Sequence, residues 1–352
     1  MTAQRRIRHV LVVGDFSYDM YQAAFSKALR SLGLKVSEFH AAKWFGPTSI
    51  LFRAQTKYVW GPGVLAARSA LMAQVKRDPP DVLFAWRTPW LNPATIQNLR
   101  NLGARFIVLY NNDDPYGPDS HFRIHQLYRK CIPYADAVYV YRPVNLNEVY
   151  ADGARHAGWL PSYFIPEQHH PLPDDDPRLK EFAADVVFVG HYEEDGRHLA
   201  LEALFRTSLR INIFGTRWDE LPPSSPLRSF LPVRPLLGQD YSAAIQAAKV
   251  ALVFLASRNR DEYTRRCFEI PAIGTAMLAP YTKTLASLYE EDREAVFYRS
   301  IEEMVEKALL LCSNNSLRES IARNGHLRCI RSGYDIVSRA KAWLDELESM
   351  FF

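Results

Sequence analysis

Short stretches that are apolar at every position recur along this chain, and they constrain its fold more than any other feature. The first spans residues 10–13 (VLVV) and is followed by Gly14, a helical pattern over residues 18–32 and a second strand pattern over residues 34–39. A strand without polar–apolar alternation is typical of a parallel sheet covered by helices on both faces. The sequence therefore predicts an α/β fold built from right-handed strand–helix–strand crossovers.

The same pattern begins again in the second half of the chain. Residues 161–179 are rich in proline and aspartate, which is typical of a linker. The run DVVFV at residues 185–189 then starts a new series, with a helix predicted over residues 193–205 and a buried strand over residues 250–255. Neither series contains the G-x-G-x-x-G pattern, so dinucleotide binding is not supported.

This repetition predicts two Rossmann-like doubly wound domains that face each other across a cleft. We place the first over residues 1–168 and the second over residues 169–335, followed by a C-terminal helix over residues 336–352 that packs on the first domain. His169 and His170 fall in the linker and are expected to be solvated, because no third metal ligand is close in sequence.

Composition narrows the classes of partner and location. The formal net charge of only +4 and the absence of a basic cluster argue against a nucleic-acid protein. This mildly positive charge would suit an anionic substrate or a transient contact with an anionic membrane surface. The four cysteines form no C-x-x-C pair, and no apolar run approaches the roughly 20 residues that span a bilayer. We expect a cytoplasmic protein with reduced thiols.

A polar segment, NNDDP, directly follows one of the predicted strands and contains Asn112, Asp113 and Asp114. Asp15 and Arg87 follow two other strands in the same half. Ligands of open parallel sheets bind beyond the carboxyl ends of the strands, so these side chains are candidates for one site. The alternative for the NNDDP segment is a capped turn, which asparagine and aspartate favour.

Residues 265–280 (RRCFEIPAIGTAMLAP) predict a short helix that Gly274 ends, followed by a buried strand. Arg265 and Arg266 at the helix start would suit the phosphates of a ligand, and the Glu269 carboxylate would accept hydrogen bonds from its hydroxyls. The alternative is an ordinary salt bridge along the helix surface.

Other loops in this half are expected to converge on the same ligand. Gly190, His191 and Tyr192 follow the first strand of the second series, and Arg197 stands on the helix after it. A polar loop over residues 257–264 leads into the arginine pair. All of these positions lie where a doubly wound sheet binds its ligand.

Several motifs together resemble the CgeB-like glycosyltransferases, which are relatives of retaining nucleotide-sugar-dependent enzymes with the GT-B fold. The resemblance spans most of the chain, and the order and spacing of its motifs are more specific than any single one. The motifs are YNNDDP (residues 110–115), YVYRP (139–143), FVGHYEEDGR (188–197), IFGTRW (213–218), RRCFEIPAIGTAMLAP (265–280) and VFYRSIEEMVEKALLL (296–311).

The resemblance implies roles for residues of the second half. Such enzymes carry a pair of acids before and on this helix, and the matching positions are Asp261 and Glu269. Glu269 would hold the ribose hydroxyls of the nucleotide, whereas Asp261 departs from the usual glutamate near the donor sugar. The residues that would lie along the diphosphate are Tyr263, Thr264, Arg265 and Arg266. No metal or other cofactor is implied, because arginines and backbone amides neutralise the leaving diphosphate.

The function that follows is transfer of a sugar from a nucleoside-diphosphate sugar to a hydroxyl of a glycan, lipid-linked or protein acceptor, in polysaccharide or glycoconjugate biosynthesis. Kinship favours retention of the anomeric configuration. The acceptor would bind near Asp15, Arg87 and Asn112, with Asp113 or Asp114 positioning it or removing its proton. Two alternatives stay open: a sugar-nucleotide 2-epimerase, and a nucleotide-sugar-binding module without activity.

Overall fold

The computed structural model describes residues 6–44, residue 55 and residues 57–352. Contacts divide the chain into two units, Met1–Pro161 with Ile336–Phe352 and Ser162–Asp335. The division falls before the boundary predicted after residue 168. None of the helices in the described part of the chain combines the length and the apolarity that crossing a bilayer requires.

The first unit is built on a six-stranded parallel sheet. Its strands are β1 (His9–Gly14), β2 (Lys35–His40), β3 (Val82–Trp86), β4 (Phe106–Asn111), β5 (Ala137–Val140) and β6 (Ala157–Trp159). The spatial order is β2-β1-β3-β4-β5-β6, so β1 pairs with β2 on one side and with β3 on the other. Every residue of β1 is buried, as its apolar run predicts. The strand order reverses beside β1, and doubly wound sheets bind ligands at such a reversal.

Helices cover both faces of this sheet, and the last helix of the chain belongs to this unit. The earlier ones are α1 (Ala24–Ser31), α2 (Pro62–Arg77), α3 (Pro93–Asn101), α4 (Arg123–Cys131) and α5 (Asn145–Ala151). The C-terminal helix, Ile336–Phe351, buries Trp343, whose ring centroid lies 4.7 Å from that of Phe84 in β3 and 5.5 Å from that of Phe25 in α1. Aromatic burial of this kind fixes the helix on the sheet.

The second unit contains a five-stranded parallel sheet. Its strands are β7 (Ala184–Val189), β8 (Ile211–Phe214), β9 (Ala248–Leu252), β10 (Ala276–Pro280) and β11 (Val296–Tyr298). Their order is β11-β10-β9-β7-β8, which puts the reversal between β7 and β9. The helices are α6 (Pro177–Phe182), α7 (Arg197–Phe205), α8 (Gly238–Gln246), α9 (Arg266–Ile273), α10 (Lys283–Leu288), α11 (Ile301–Ser313) and α12 (Asn315–Arg331).

Element boundaries in the second unit differ from the prediction in ways that shape the ligand-binding end. The helix predicted over residues 193–205 begins only at Arg197, because Gly196 adopts a left-handed conformation (φ 89°) and residues 193–196 form a loop. The strand predicted over residues 250–255 is β9 and ends at Leu252, which lengthens the loop before α9. Gly274 ends α9 as predicted, in a left-handed conformation (φ 89°).

Candidate functional site

The first unit has a pocket of about 680 Å³ at the carboxyl ends of β1 and β3, where the strand order reverses. Three of the predicted acceptor-side residues, Asp15, Arg87 and Asp113, line it. Arg87 Nε and Asp113 Oδ2 lie 2.7 Å apart, and Arg87 has a positive φ of 51°. A residue other than glycine in that region is strained, and such strain is concentrated at functional sites.

The other two predicted acceptor-side residues do not line this pocket. Asp114 is buried, and its Oδ1 accepts hydrogen bonds from the Tyr116 amide and from Asn145 Nδ2, each at 3.0 Å. Asn112 Oδ1 accepts a hydrogen bond of 3.1 Å from the Trp86 indole. The capped turn considered for the NNDDP segment thus describes Asp114, whereas Asp113 faces the pocket.

His125 lines the same pocket and was not singled out from the sequence. The residue is only 7% exposed, and its ring makes no hydrogen bond to the described part of the chain. Burial lowers its pKa despite the nearby Asp113 carboxylate, so the imidazole is neutral at pH 7. The available sequence signal was its position on α4: His125 and Tyr128 share the buried face, where a histidine is less common than an apolar residue.

In the second unit, predicted donor-side residues meet at the carboxyl ends of β7 and β9. His191 follows β7 and is exposed, and its Nδ1 lies 2.5 Å from Thr216 Oγ1. Partial burial and the charge of Arg266 together lower the pKa of His191. The loop after β7 follows Val189 and the loop before α9 follows Leu252, so both lie at the carboxyl end of the parallel sheet, at the strand-order reversal.

Arg197 holds the loop after β7 in place. It is buried, its Nε and Nη2 donate to the two carboxylate oxygens of Asp195 at 2.8 and 2.5 Å, and its Nη1 donates to the His191 carbonyl at 2.6 Å. Gly190 lies in the same loop, and a Cβ at Gly215 would come within 1.8 Å of its carbonyl oxygen. Arg197 therefore positions the loop, and the close approach of the chain at Gly190 requires a glycine at position 215.

Tyr192 and Tyr263 are core residues in this structure, with 2% and 0% of their surface exposed. Asp261 is partly exposed on the loop before α9. Two polar atoms here are buried without a hydrogen-bond partner among the described residues: Thr264 Oγ1 and Arg266 Nε. Because buried polar groups are normally hydrogen-bonded, these two are the strongest candidates in this loop for contacts with a ligand.

Glu269 lies in a buried polar network and is only 5% exposed. Its Oε1 accepts hydrogen bonds from Nε and Nη2 of Arg265 at 2.8 and 2.5 Å, and its Oε2 accepts one from the Tyr241 hydroxyl at 2.6 Å. Burial alone would raise the carboxyl pKa, but the Arg265 charge and the Tyr241 hydrogen bond outweigh it and lower the pKa to about 2. The salt bridge considered from the spacing exists, between Arg265 and Glu269, but it is buried instead of lying on the surface.

His169 completes this network, and the expectation that it is solvated is wrong. It is 6% exposed, its Nδ1 accepts a hydrogen bond of 2.9 Å from the Ile165 amide, and its Nε2 lies 3.6 Å from Glu269 Oε1. Burial lowers the pKa of His169 despite the neighbouring carboxylate. The imidazole is therefore neutral at pH 7, and Arg265 supplies the main positive charge beside Glu269.

Within the described ranges, no group of three or more histidine, cysteine, aspartate or glutamate side chains is arranged to hold a metal ion. All four cysteines are free thiols, and all are buried.

Residues 197–345 match the family model described as glycosyl transferase-like. Solved structures with the GT-B glycosyltransferase fold resemble nearly the whole chain. Sucrose-phosphate synthase from Thermosynechococcus elongatus aligns with a TM-score of 0.70 and 11% identity, over 98% of this chain and 99% of that one. Anabaena HepE in complex with UDP-glucose aligns with a TM-score of 0.68 and 13% identity, over 97% and 99%.

A UDP-N-acetylglucosamine 2-epimerase from Listeria monocytogenes, described as putative, also aligns, with a TM-score of 0.57 and 12% identity over 97% of this chain and 96% of that one. Comparison with curated proteins finds no match. These likenesses give the chain a glycosyltransferase-like fold with two parallel-sheet units and a glycosyl transferase-like segment that contains α7 and α9.

Proposed function

We propose that this protein is a glycosyltransferase that moves a sugar from a nucleoside-diphosphate sugar to an acceptor hydroxyl. The observation that carries the proposal is that the glycosyl transferase-like segment, residues 197–345, includes the loop and helix that present Thr264 and Arg266. Buried polar atoms without partners at the reversal of a doubly wound sheet suit an anionic ligand.

The donor diphosphate binds at the start of α9. Arg266 is the arginine available there, because Arg265 is committed to Glu269. An arginine beside the departing diphosphate stabilises the charge that develops as the glycosidic bond breaks. Thr264 donates a hydrogen bond to the same group. His191, whose pKa the positive charge of Arg266 lowers, contacts the donor from the loop after β7.

The finer parts of the proposal rest on the motif resemblance. We assign the chain to the CgeB-like group and expect transfer with retention of the anomeric configuration, without a metal or other cofactor. In this assignment Glu269 binds the ribose hydroxyls and Asp261 lies near the donor sugar. The acceptor is a glycan, a lipid-linked saccharide or a protein, handled by the first unit near Asp15, Arg87 and Asp113. Four buried free thiols suit a cytoplasmic location, and contact with a membrane surface would be transient.

UDP-glucose is the first donor to test, because it is the ligand named for the HepE structure. We expect it to raise the melting temperature of this protein, since a ligand at 100 times its Kd contributes about 2.7 kcal/mol. GDP-, TDP- and CMP-sugars serve as comparison donors. The absence of a shift with every nucleotide sugar would contradict the proposal. Turnover in excess EDTA tests metal independence, and the anomeric proton of the product in an NMR spectrum tests retention.

The structural likeness to a 2-epimerase supports a second candidate, a sugar-nucleotide 2-epimerase. An epimerase needs no acceptor. Incubation with the donor alone therefore separates the two: a 2-epimer of the sugar favours the epimerase, whereas product only in the presence of an acceptor favours the transferase. Binding without any turnover would indicate a module that retains the nucleotide site but lacks activity.

A further inference from the structure

The pocket of the first unit has a polar rim and an apolar interior. Its exposed lining residues are Asp15, Ser17, Lys43 and Arg87, whereas the deeply buried ones include Val59, Val64, Trp90 and Tyr128. Pockets that hold small ligands have volumes of roughly 300–1,000 Å³ and are mostly apolar with a few polar groups that orient the ligand. The volume of about 680 Å³ and this lining fit that description.

His125 is one of the two buried polar residues that line the pocket, the other being Thr88. His125 is 7% exposed, lies on the pocket wall and makes no side-chain hydrogen bond to the residues that the structure describes. Its ring nitrogens are not among the fully buried side-chain atoms that lack a hydrogen-bond partner, so they reach the space of the pocket. A hydroxyl of a bound ligand would satisfy one of its ring nitrogens.

We propose that this pocket binds an acceptor with an apolar aglycone, an alkyl or aryl group that occupies the interior, and that His125 holds a hydroxyl of that acceptor. The identification of the ligand as the acceptor rests on the proposed transferase function, whereas the preference for an apolar group rests on the pocket alone. A free polar oligosaccharide would leave Val59, Val64 and Trp90 facing hydroxyl groups, with no gain from apolar burial.

The test is a titration of the whole protein with methyl, butyl, hexyl and octyl β-D-glucosides by isothermal calorimetry, below their critical micelle concentrations. All four share one sugar, so only the apolar part differs. Each methylene that enters the pocket should tighten binding about fourfold, from about 0.8 kcal/mol per buried methylene, until the pocket is filled. Equal affinities across the series would overturn the proposal.

Two variants separate the pocket from the general surface. Ile124, a partly buried residue of the wall, is changed to glutamate, and the exposed Val144 of the same unit, which is not among the lining residues, is the matched control. Ile124→Glu should abolish the dependence on chain length, and Val144→Glu should preserve it. A dependence on chain length that survives in Ile124→Glu would mean that the glucosides adsorb elsewhere on the protein, and it would overturn the proposal.

His125 is tested by a pair of substitutions with different hydrogen-bonding capacity. His125→Leu should weaken hexyl glucoside binding about tenfold, whereas His125→Gln, which can still bond the ligand hydroxyl, should lose much less. Equal losses would overturn its role. UDP-glucose binding by these variants is the separate arm: if the glucoside series behaves as expected and no nucleotide sugar binds or reacts, the proposed function fails while the apolar-ligand pocket stands.

Discussion

Removal of the Glu269 charge should destabilise the second unit, whatever its effect on a nucleotide. The Glu269→Gln side chain keeps the size of the original and leaves the Arg265 guanidinium, 12% exposed, without its anionic partner. Breaking one member of a buried ion pair costs about 3–5 kcal/mol, because the remaining charge stays buried. For a unit of this size, about 2–4 °C per kcal/mol gives a fall in melting temperature of about 6–20 °C.

The assay is thermal unfolding followed by circular dichroism without nucleotide. Glu220→Gln is the matched control, because Glu220 pairs with Arg217 in the same unit but on the surface. Exposed pairs contribute little, so this variant should melt like the original protein. If Glu269→Gln also melts like the original protein, the inference of a stabilising buried network is refuted. A loss of UDP-glucose affinity with an unchanged melting temperature would instead indicate that Glu269 acts only by binding the ribose.

The pH dependence supplies a second readout of the same network. The pKa of Glu269 is lowered in the folded state, to about 2, from about 4.3 for an unperturbed glutamate. Its contribution to stability is therefore complete above the unfolded pKa and is lost as the pH falls from about 4 towards 2. The difference in stability between the original protein and Glu269→Gln should shrink over that window. A difference that stays constant down to pH 2 would contradict the assigned cause.

Three further changes test the fold and the donor end. Trp343→Ala should lower the free energy of unfolding by about 3–5 kcal/mol in urea titrations, since the ring is buried in the first unit. Gly215→Ala should cost about 3 kcal/mol, more than Gly33→Ala, because a Cβ at Gly33 meets no atom within 4 Å and suffers backbone strain alone. Arg266→Gln should weaken UDP-glucose binding roughly ten- to hundredfold in calorimetry. It should also raise the pKa of His191 in NMR titrations, because the Arg266 charge lowers that pKa. An unchanged His191 pKa would show that the two side chains do not interact.

The fold was predictable because a strand that is buried on both faces of a sheet is apolar at every position, and such a run is visible in the local sequence. The stretch at residues 10–13 is apolar at every position, and β1 forms there with every residue buried. Helix starts were less predictable, since the loop before Arg197 depends on Gly196 in a left-handed conformation and on a carboxylate cap from Asp195.

The site was only partly predictable, because its contacts join residues that are far apart in sequence. The spacing of Arg265 and Glu269 on one helix is visible in the sequence, whereas the contributions of Tyr241 and His169 depend on how α8 and the linker pack. A histidine next to another histidine in a proline-rich segment carries no sign of burial. The same limit applied to His125, which had no sequence motif around it.

The candidate site residues of the two units differ in whether their side chains are hydrogen-bonded within the protein. Arg197 and Asp114 have their side chains bonded within their own units, so their loss should act mainly through the shape of the loops that they hold. The Nε of Arg266 is buried without a hydrogen-bond partner among the described residues, and the His125 ring lines a pocket without such a bond, so we expect a ligand to supply the partner in both places. Stability and binding should therefore respond to different substitutions, even though Arg197, Asp114 and Arg266 all lie in segments that the sequence marks as ligand-binding ends of parallel sheets.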